Sequence, residues 1–108
     1  MVDGDANSGY HVARLKYRIT LAPEAREGYL RLPAYLRAGV RDAINRHLQF
    51  GPMRISRSRI KRLKGIDRPQ YRLRVGSVRV FYDVREDEVE VLGIVEKSEA
   101  ASWLQESR

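Results

Sequence analysis

Three arginines, Arg72, Arg74 and Arg79, sit on the two arms of the run YRLRVGSVRVFYDV (residues 71–84), and they are the side chains best suited to chemistry on a phosphate. A guanidinium presents five donors in a planar fork that matches two phosphate oxygens, and its charge persists at any physiological pH. Arginines so placed can stabilise a developing dianionic phosphorane, but they cannot act as general bases. Phe81 and Trp103 offer flat faces on which an unstacked base can lie. Neither histidine joins this set. His11 precedes the first expected strand, and His47 falls in a helical stretch, where a packing or surface role is expected.

The arginines are positioned by a β-hairpin. Two alternating runs, residues 71–75 and 78–84, are separated by Gly76-Ser77, and a glycine at the first of two central positions is what a type II′ turn requires. A two-residue loop fixes the register. It sets Val75 opposite Val78, Arg74 opposite Arg79, Leu73 opposite Val80, Arg72 opposite Phe81 and Tyr71 opposite Tyr82. One face is then apolar, while the other carries the three arginines beside Phe81 and Asp83. Like charges directly across a strand pair are unfavourable, and a bound anion would remove that penalty. After a polar turn at residues 85–88, a third strand places Val89 opposite Val84, Leu92 opposite Phe81 and Ile94 opposite Arg79. The arginine face thereby gains an apolar floor. A helix over residues 97–108, with Ala100, Trp103 and Leu104 at helical spacing, is expected to roof it.

The N-terminal half supplies the opposite layer. Residues 1–13 read as a flexible leader and residues 14–108 as a single domain. Leu15, Tyr17, Ile19 and Leu21 alternate as a half-buried strand. Pro23 opens a short helix with Glu24 and Glu27 in its first turn. Pro33 ends it and begins a second helix, carried by Leu36, Val40, Ala43, Ile44 and Leu48 up to the stop at Gly51-Pro52. Residues 54–65 mix β-branched, basic and small residues and are expected to form a loop rather than a short edge strand. The resulting order is strand, helix, helix, three-strand meander, short helix. This is an α+β domain with a mostly antiparallel sheet and a helical hairpin packed on one face.

Charge is distributed unevenly along the 108 residues. The net charge is +7, yet between residues 54 and 79 ten basic residues stand against Asp67 alone, while residues 83–106 hold eight acidic residues against Arg85 and Lys97. The cluster Arg54, Arg57, Arg59, Lys61, Arg62 and Lys64 is continuous with the arginine face, so a polyanion is the expected partner. There is no cysteine, which excludes disulfides and thiolate metal sites. No apolar run approaches the roughly 18 residues of a membrane span, and no secretory signal pattern opens the chain, so a cytoplasmic protein is expected. The sequence contains no Gly-rich phosphate loop and no HExxH, and neither a metal nor another cofactor is expected.

The LKG of residues 63–65, the hairpin YRLRVGSVRVFYDV, the acidic turn and the closing VLGIVEKSEAASWL together resemble the RelE/ParE superfamily of type II toxin–antitoxin toxins. The resemblance spans roughly residues 17–105. It implies the fold just derived and a cognate antitoxin, bound in a toxin–antitoxin hetero-oligomer. For RelE-like members it implies entry into the ribosome and cleavage of mRNA by attack of a ribose 2′-hydroxyl on the neighbouring phosphate. It also implies site residues. By position, the catalytic set falls on Arg72, Arg74, Arg79 and Lys97. The aromatic position falls on Trp103; with Phe81 as a further stacking surface and the basic residues 54, 57, 59, 61, 62 and 64 read above from charge, these form the expected RNA-binding set. ParE-like members instead inhibit DNA gyrase, and a relative that has lost activity would remain an RNA- or antitoxin-binding module. Two departures from the RelE pattern bear on cleavage: arginines stand where some relatives carry lysines on the second strand, and Trp103 stands where an acid/base tyrosine is often found, so under this resemblance proton transfer falls to Lys97, Glu96, Tyr82 or the substrate and ribosome.

Overall fold

The computed structural model describes residues 16–107, so the expected leader and Leu15 lie outside the described residues. The elements are β1 (Arg18–Leu21), α1 (Pro23–Arg31), α2 (Ala34–Leu48), β2 (Ile60–Arg62), β3 (Tyr71–Val75), β4 (Val78–Arg85), β5 (Glu88–Glu96) and α3 (Lys97–Glu106). They form one five-stranded sheet in the order β1-β5-β4-β3-β2. β1 runs parallel to β5, and the other pairs are antiparallel. No helix among the described residues is long and apolar enough to cross a membrane.

Periodicity builds the core. Leu73, Val78, Val80, Tyr82, Val89, Val91 and Ile94 line one sheet face and pack against Ala25, Leu32, Val40, Ile44 and Leu48 of the helical hairpin, all buried. α1 begins at a proline whose fixed φ suits a first helical turn, as expected. The β3–β4 hairpin has the register derived above, residue for residue. Gly76 takes φ +58, and Ser77 is not among the positive-φ residues, which is the backbone pattern of a type II′ turn.

Two expectations change. Residues 60–62 are not loop: β2 is an edge strand, with Ile60 opposite Leu73, Lys61 opposite Arg72 and Arg62 opposite Tyr71. Ile60 is buried beside Leu73, so one apolar side chain gains a core contact while its basic neighbours stay outside. The second change lies in β5. A bulge leaves Leu92 without a partner, so Gly93 faces Phe81, Ile94 faces Val80 and Val95 faces Arg79. From the bulge onward every side chain is on the face opposite to the one expected. Ile94 enters the core, and Gly93 comes to the arginine face.

Candidate functional site

The sheet face away from α1 and α2 has three zones. At the hairpin end lie the arginines, graded in depth: Arg74 is exposed, Arg72 half-buried, and Arg79 only 8% exposed. Arg79 folds back on the turn, its Nη1 donating to the carbonyls of Gly76 at 2.8 Å and Val78 at 3.1 Å. The Nε of Arg72 is buried and has no hydrogen-bond partner among the described residues. Among the described residues, no carboxylate forms an ion pair with any of the three. Burial, then Arg74, lowers the pKa of Arg72; burial, then Arg72 and Arg74, lowers that of Arg79. These groups nevertheless remain cationic at neutral pH. A phosphate placed against such a cluster would offset the repulsion between its charges.

The middle zone is aromatic. Phe81 and Trp103 stack with centroids 4.9 Å apart and planes 6° from parallel. Gly93 permits this: a Cβ there would overlap Cζ2 of Trp103 and lie 2.5 Å from Cε2. The indole N–H donates to Oε2 of Glu24 at 2.9 Å, tying α3 to the start of α1. Phe81 is 1% exposed. It is therefore closed to an incoming base, contrary to its expected stacking role, because the bulge brings Gly93 beneath the indole. Trp103 keeps only partial exposure, with one face against Phe81.

The third zone neutralises itself. Asp83 is buried and accepts from Nε of Arg68 at 2.7 Å and from the backbone N–H of Gln70 at 2.7 Å. Arg68 also reaches Glu90 at 3.3 Å, and Arg85 lies 3.5 Å from the same carboxylate. The hydrogen bond to Asp83 is the main reason the pKa of Arg68 is raised. Asp83 and Glu90 on this face are thus already paired, and no carboxylate among the described residues forms an ion pair with the triad.

The proton-transfer candidates thin out. Tyr82 points into the core and donates to the carbonyl of Pro52 at 2.6 Å, and burial, then Tyr71, pushes its hydroxyl well above the ordinary phenol range. The bulge puts Glu96 opposite Val78, on the helical side of the sheet rather than beside the arginines. His47 lies in α2, on that same side. Lys97 remains. It is exposed at the first position of α3, and its backbone N–H donates to Ser77 in the hairpin turn at 2.7 Å, so it stands at the arginine end. The positive end of the α3 dipole points there too.

Arg54, Arg57, Arg59, Lys61, Arg62 and Lys64 are all exposed. Arg62 donates to the carbonyl of Gln70 at 3.0 Å and lies over the Tyr71 ring at 5.1 Å. The backbone bond from Arg74 N to Arg59 O, 2.9 Å, joins this ridge directly to the triad.

Neither a comparison with protein-family models nor one with curated proteins gives a match. Solved structures do match. The toxin–antitoxin complex RelBE2 from Mycobacterium tuberculosis aligns with a TM-score of 0.66 at 21% identity, covering 76% of this chain and 92% of that one. The RelB–RelE antitoxin–toxin complex from Methanococcus jannaschii gives 0.62 at 18%, over 78% and 96%. The YoeB dimer from Staphylococcus aureus gives 0.53 at 19%, over 72% and 93%. The chain has the RelE-like toxin fold. On this RelE-like sheet, the structure brings Arg72, Arg74 and Arg79 together with the start of α3, and sets residues 54–64 along the adjoining edge. Sequence reasoning missed Gly93, Glu24 and the Arg68–Asp83–Glu90 network. An interior strand glycine and a tryptophan N–H in need of an acceptor were the available signals for the first two.

Proposed function

We propose that this protein is the toxin of a type II toxin–antitoxin pair, held inactive by a cognate antitoxin, and that it inhibits translation in the cytoplasm by cleaving ribosome-bound mRNA. The observation that carries the reading is the triad Arg72, Arg74 and Arg79, without an ion pair among the described residues and with the orphan Nε of Arg72, on a RelE-like sheet. In this mechanism the guanidinium forks grip the scissile phosphate and stabilise the phosphorane formed as the ribose 2′-hydroxyl attacks. The ridge of Arg54, Arg57, Arg59, Lys61, Arg62 and Lys64 rests on RNA backbone. Lys97 is the one group of the expected set at the triad able to exchange a proton, so the substrate or ribosome supplies the rest. Induction in cells, followed by separate readings of protein synthesis and DNA supercoiling, tests this. Arrested synthesis with normal supercoiling is expected.

One observation favours a second reading. With Tyr82 and Glu96 turned away from the arginines, the face binds phosphate better than it moves protons. A relative without cleavage, acting as an RNA- or antitoxin-binding module or as a gyrase inhibitor, would have this arrangement. Harmless induction supports the module, and blocked supercoiling supports the gyrase inhibitor.

A further inference from the structure

A separate cleft of about 220 Å³ lies on the helical side, where α2 ends and the chain returns to β2; Arg46, His47, Phe50, Arg54, Ser56 and Arg59 line it. Its walls are held by the backbone. Arg54 N donates to Gly51 O at 3.1 Å, and Ser56 N to Ile60 O at 2.9 Å. Ser56 Oγ accepts from Arg59 N at 3.0 Å and Ile60 N at 3.1 Å, which closes the 56–59 loop. Arg54 folds over Gly51, with its Nε 3.7 Å from where a Cβ would stand. Four basic groups therefore converge. The acidic residue beside them, Asp42, is already paired with Arg46 at 3.1 Å, and neither Arg54 nor Arg59 has a carboxylate partner among the described residues. At the rim, Phe50 is 53% exposed.

We propose that this cleft binds the phosphate of a nucleotide, with the base stacked on Phe50, as a second contact for single-stranded RNA. The size fits a fragment: pockets that enclose a drug-sized ligand run to about 300–1,000 Å³, so phosphate enters and the base stays at the rim. Guanidinium forks from Arg54 and Arg59 match phosphate oxygens, and an exposed ring beside them distinguishes a nucleotide from a bare carboxylate. The proposal rests on the reading that residues 54–64 face RNA, but not on cleavage.

His47 is the reporter. Its pKa is lowered by burial, then by Arg59 and Arg46, against an opposing pull from Asp42, so it is largely neutral at pH 7. Phosphate in the cleft would raise it. The test is NMR of the His47 ring in the full chain during titration with adenosine monophosphate, with a six-nucleotide single-stranded RNA, and with hexaglutamate. Wild type, Arg54→Gln/Arg59→Gln and Arg72→Gln/Arg74→Gln are compared. The expected result is a His47 shift and a raised titration midpoint with both nucleotide probes. Affinity should fall about tenfold or more in the Arg54/Arg59 variant and be retained in the Arg72/Arg74 variant. Tighter binding of the hexamer supports the RNA contact; equal binding of the monophosphate would overturn it in favour of a free-nucleotide site. Should the Arg54/Arg59 variant not fold, Phe50→Ala serves instead, weakening the nucleotides but not inorganic phosphate. An unmoved His47, equal loss in the Arg72/Arg74 variant, or an equal response to hexaglutamate would overturn the proposal. mRNA cleavage with an unmoved His47 defeats this proposal alone, and a shifted His47 without cleavage defeats only the proposed function.

Discussion

Arg74→Gln should make the domain more stable while abolishing its activity. Arg74 stands directly opposite Arg79, and its backbone N–H is turned outward to Arg59 O, so the two form a non-hydrogen-bonded pair. In such pairs the Cα atoms approach to about 4.5 Å and the side chains are closest. Like charges opposite one another cost roughly 0.2–1 kcal/mol, and this geometry belongs in the upper half of that range. Burial of Arg79 limits screening by solvent, and no carboxylate among the described residues offsets the pair. For a domain of this size, a gain of about 0.5–1 kcal/mol raises Tm by about 2–8 °C. Thermal unfolding followed by circular dichroism at low ionic strength measures it. In about 1 M salt, where the Debye length is about 3 Å, most of the gain should vanish. Inorganic phosphate should raise the Tm of wild type more than that of the variant, because it binds the intact triad. A variant that melts at or below wild type in low salt, or whose difference ignores salt, would refute the idea that the arginines repel one another while awaiting an anion.

Three further outcomes follow from local geometry. Gly93→Ala drives a methyl into the Trp103 ring and should cost about 1–3 kcal/mol, with a shifted Trp103 fluorescence maximum as α3 lifts from the sheet. Glu86 holds φ +53 in the β4–β5 turn, a conformation costing roughly 1–2 kcal/mol for a residue with a Cβ, so Glu86→Gly should raise the urea midpoint. Tyr82→Phe removes the donor to Pro52 and should destabilise by about 1–3 kcal/mol by leaving that carbonyl buried. Its activity per folded molecule should equal wild type, and a large loss in an RNA-cleavage assay would return Tyr82 to the chemistry.

Much of the fold was legible because short loops leave little freedom. The Gly76-Ser77 turn admits one register, and it placed Arg74 against Arg79 without any tertiary information. Pro23, Pro33 and Gly51-Pro52 marked the helix limits in the same way. The β5 bulge was not legible, because Leu92 and Ile94 are as apolar as Val91 and Val95, and alternation cannot choose a face when both parities are apolar. Packing decides it: Ile94 fills the core opposite Val80, and Gly93 makes room for the indole. The same shift closes Phe81 and turns Glu96 away. An error of one residue in register therefore altered the site more than the fold. β2 was missed for a related reason. Ile60 alone among its neighbours is core, too little periodicity to announce a strand, and the strand forms because the edge of β3 needs a partner.

Toe-printing of mRNA in a purified translation reaction tests the central claim most directly, with wild type and Arg74→Gln side by side. Added wild-type protein should produce new 5′-hydroxyl mRNA ends at ribosome-bound codons, the leaving side of 2′-hydroxyl attack, with the 2′,3′-cyclic phosphate on the upstream fragment, while the variant leaves the message whole. Intact message with folded wild-type protein, or equal cutting by both proteins, would contradict the assignment of the arginine face as a site of RNA cleavage.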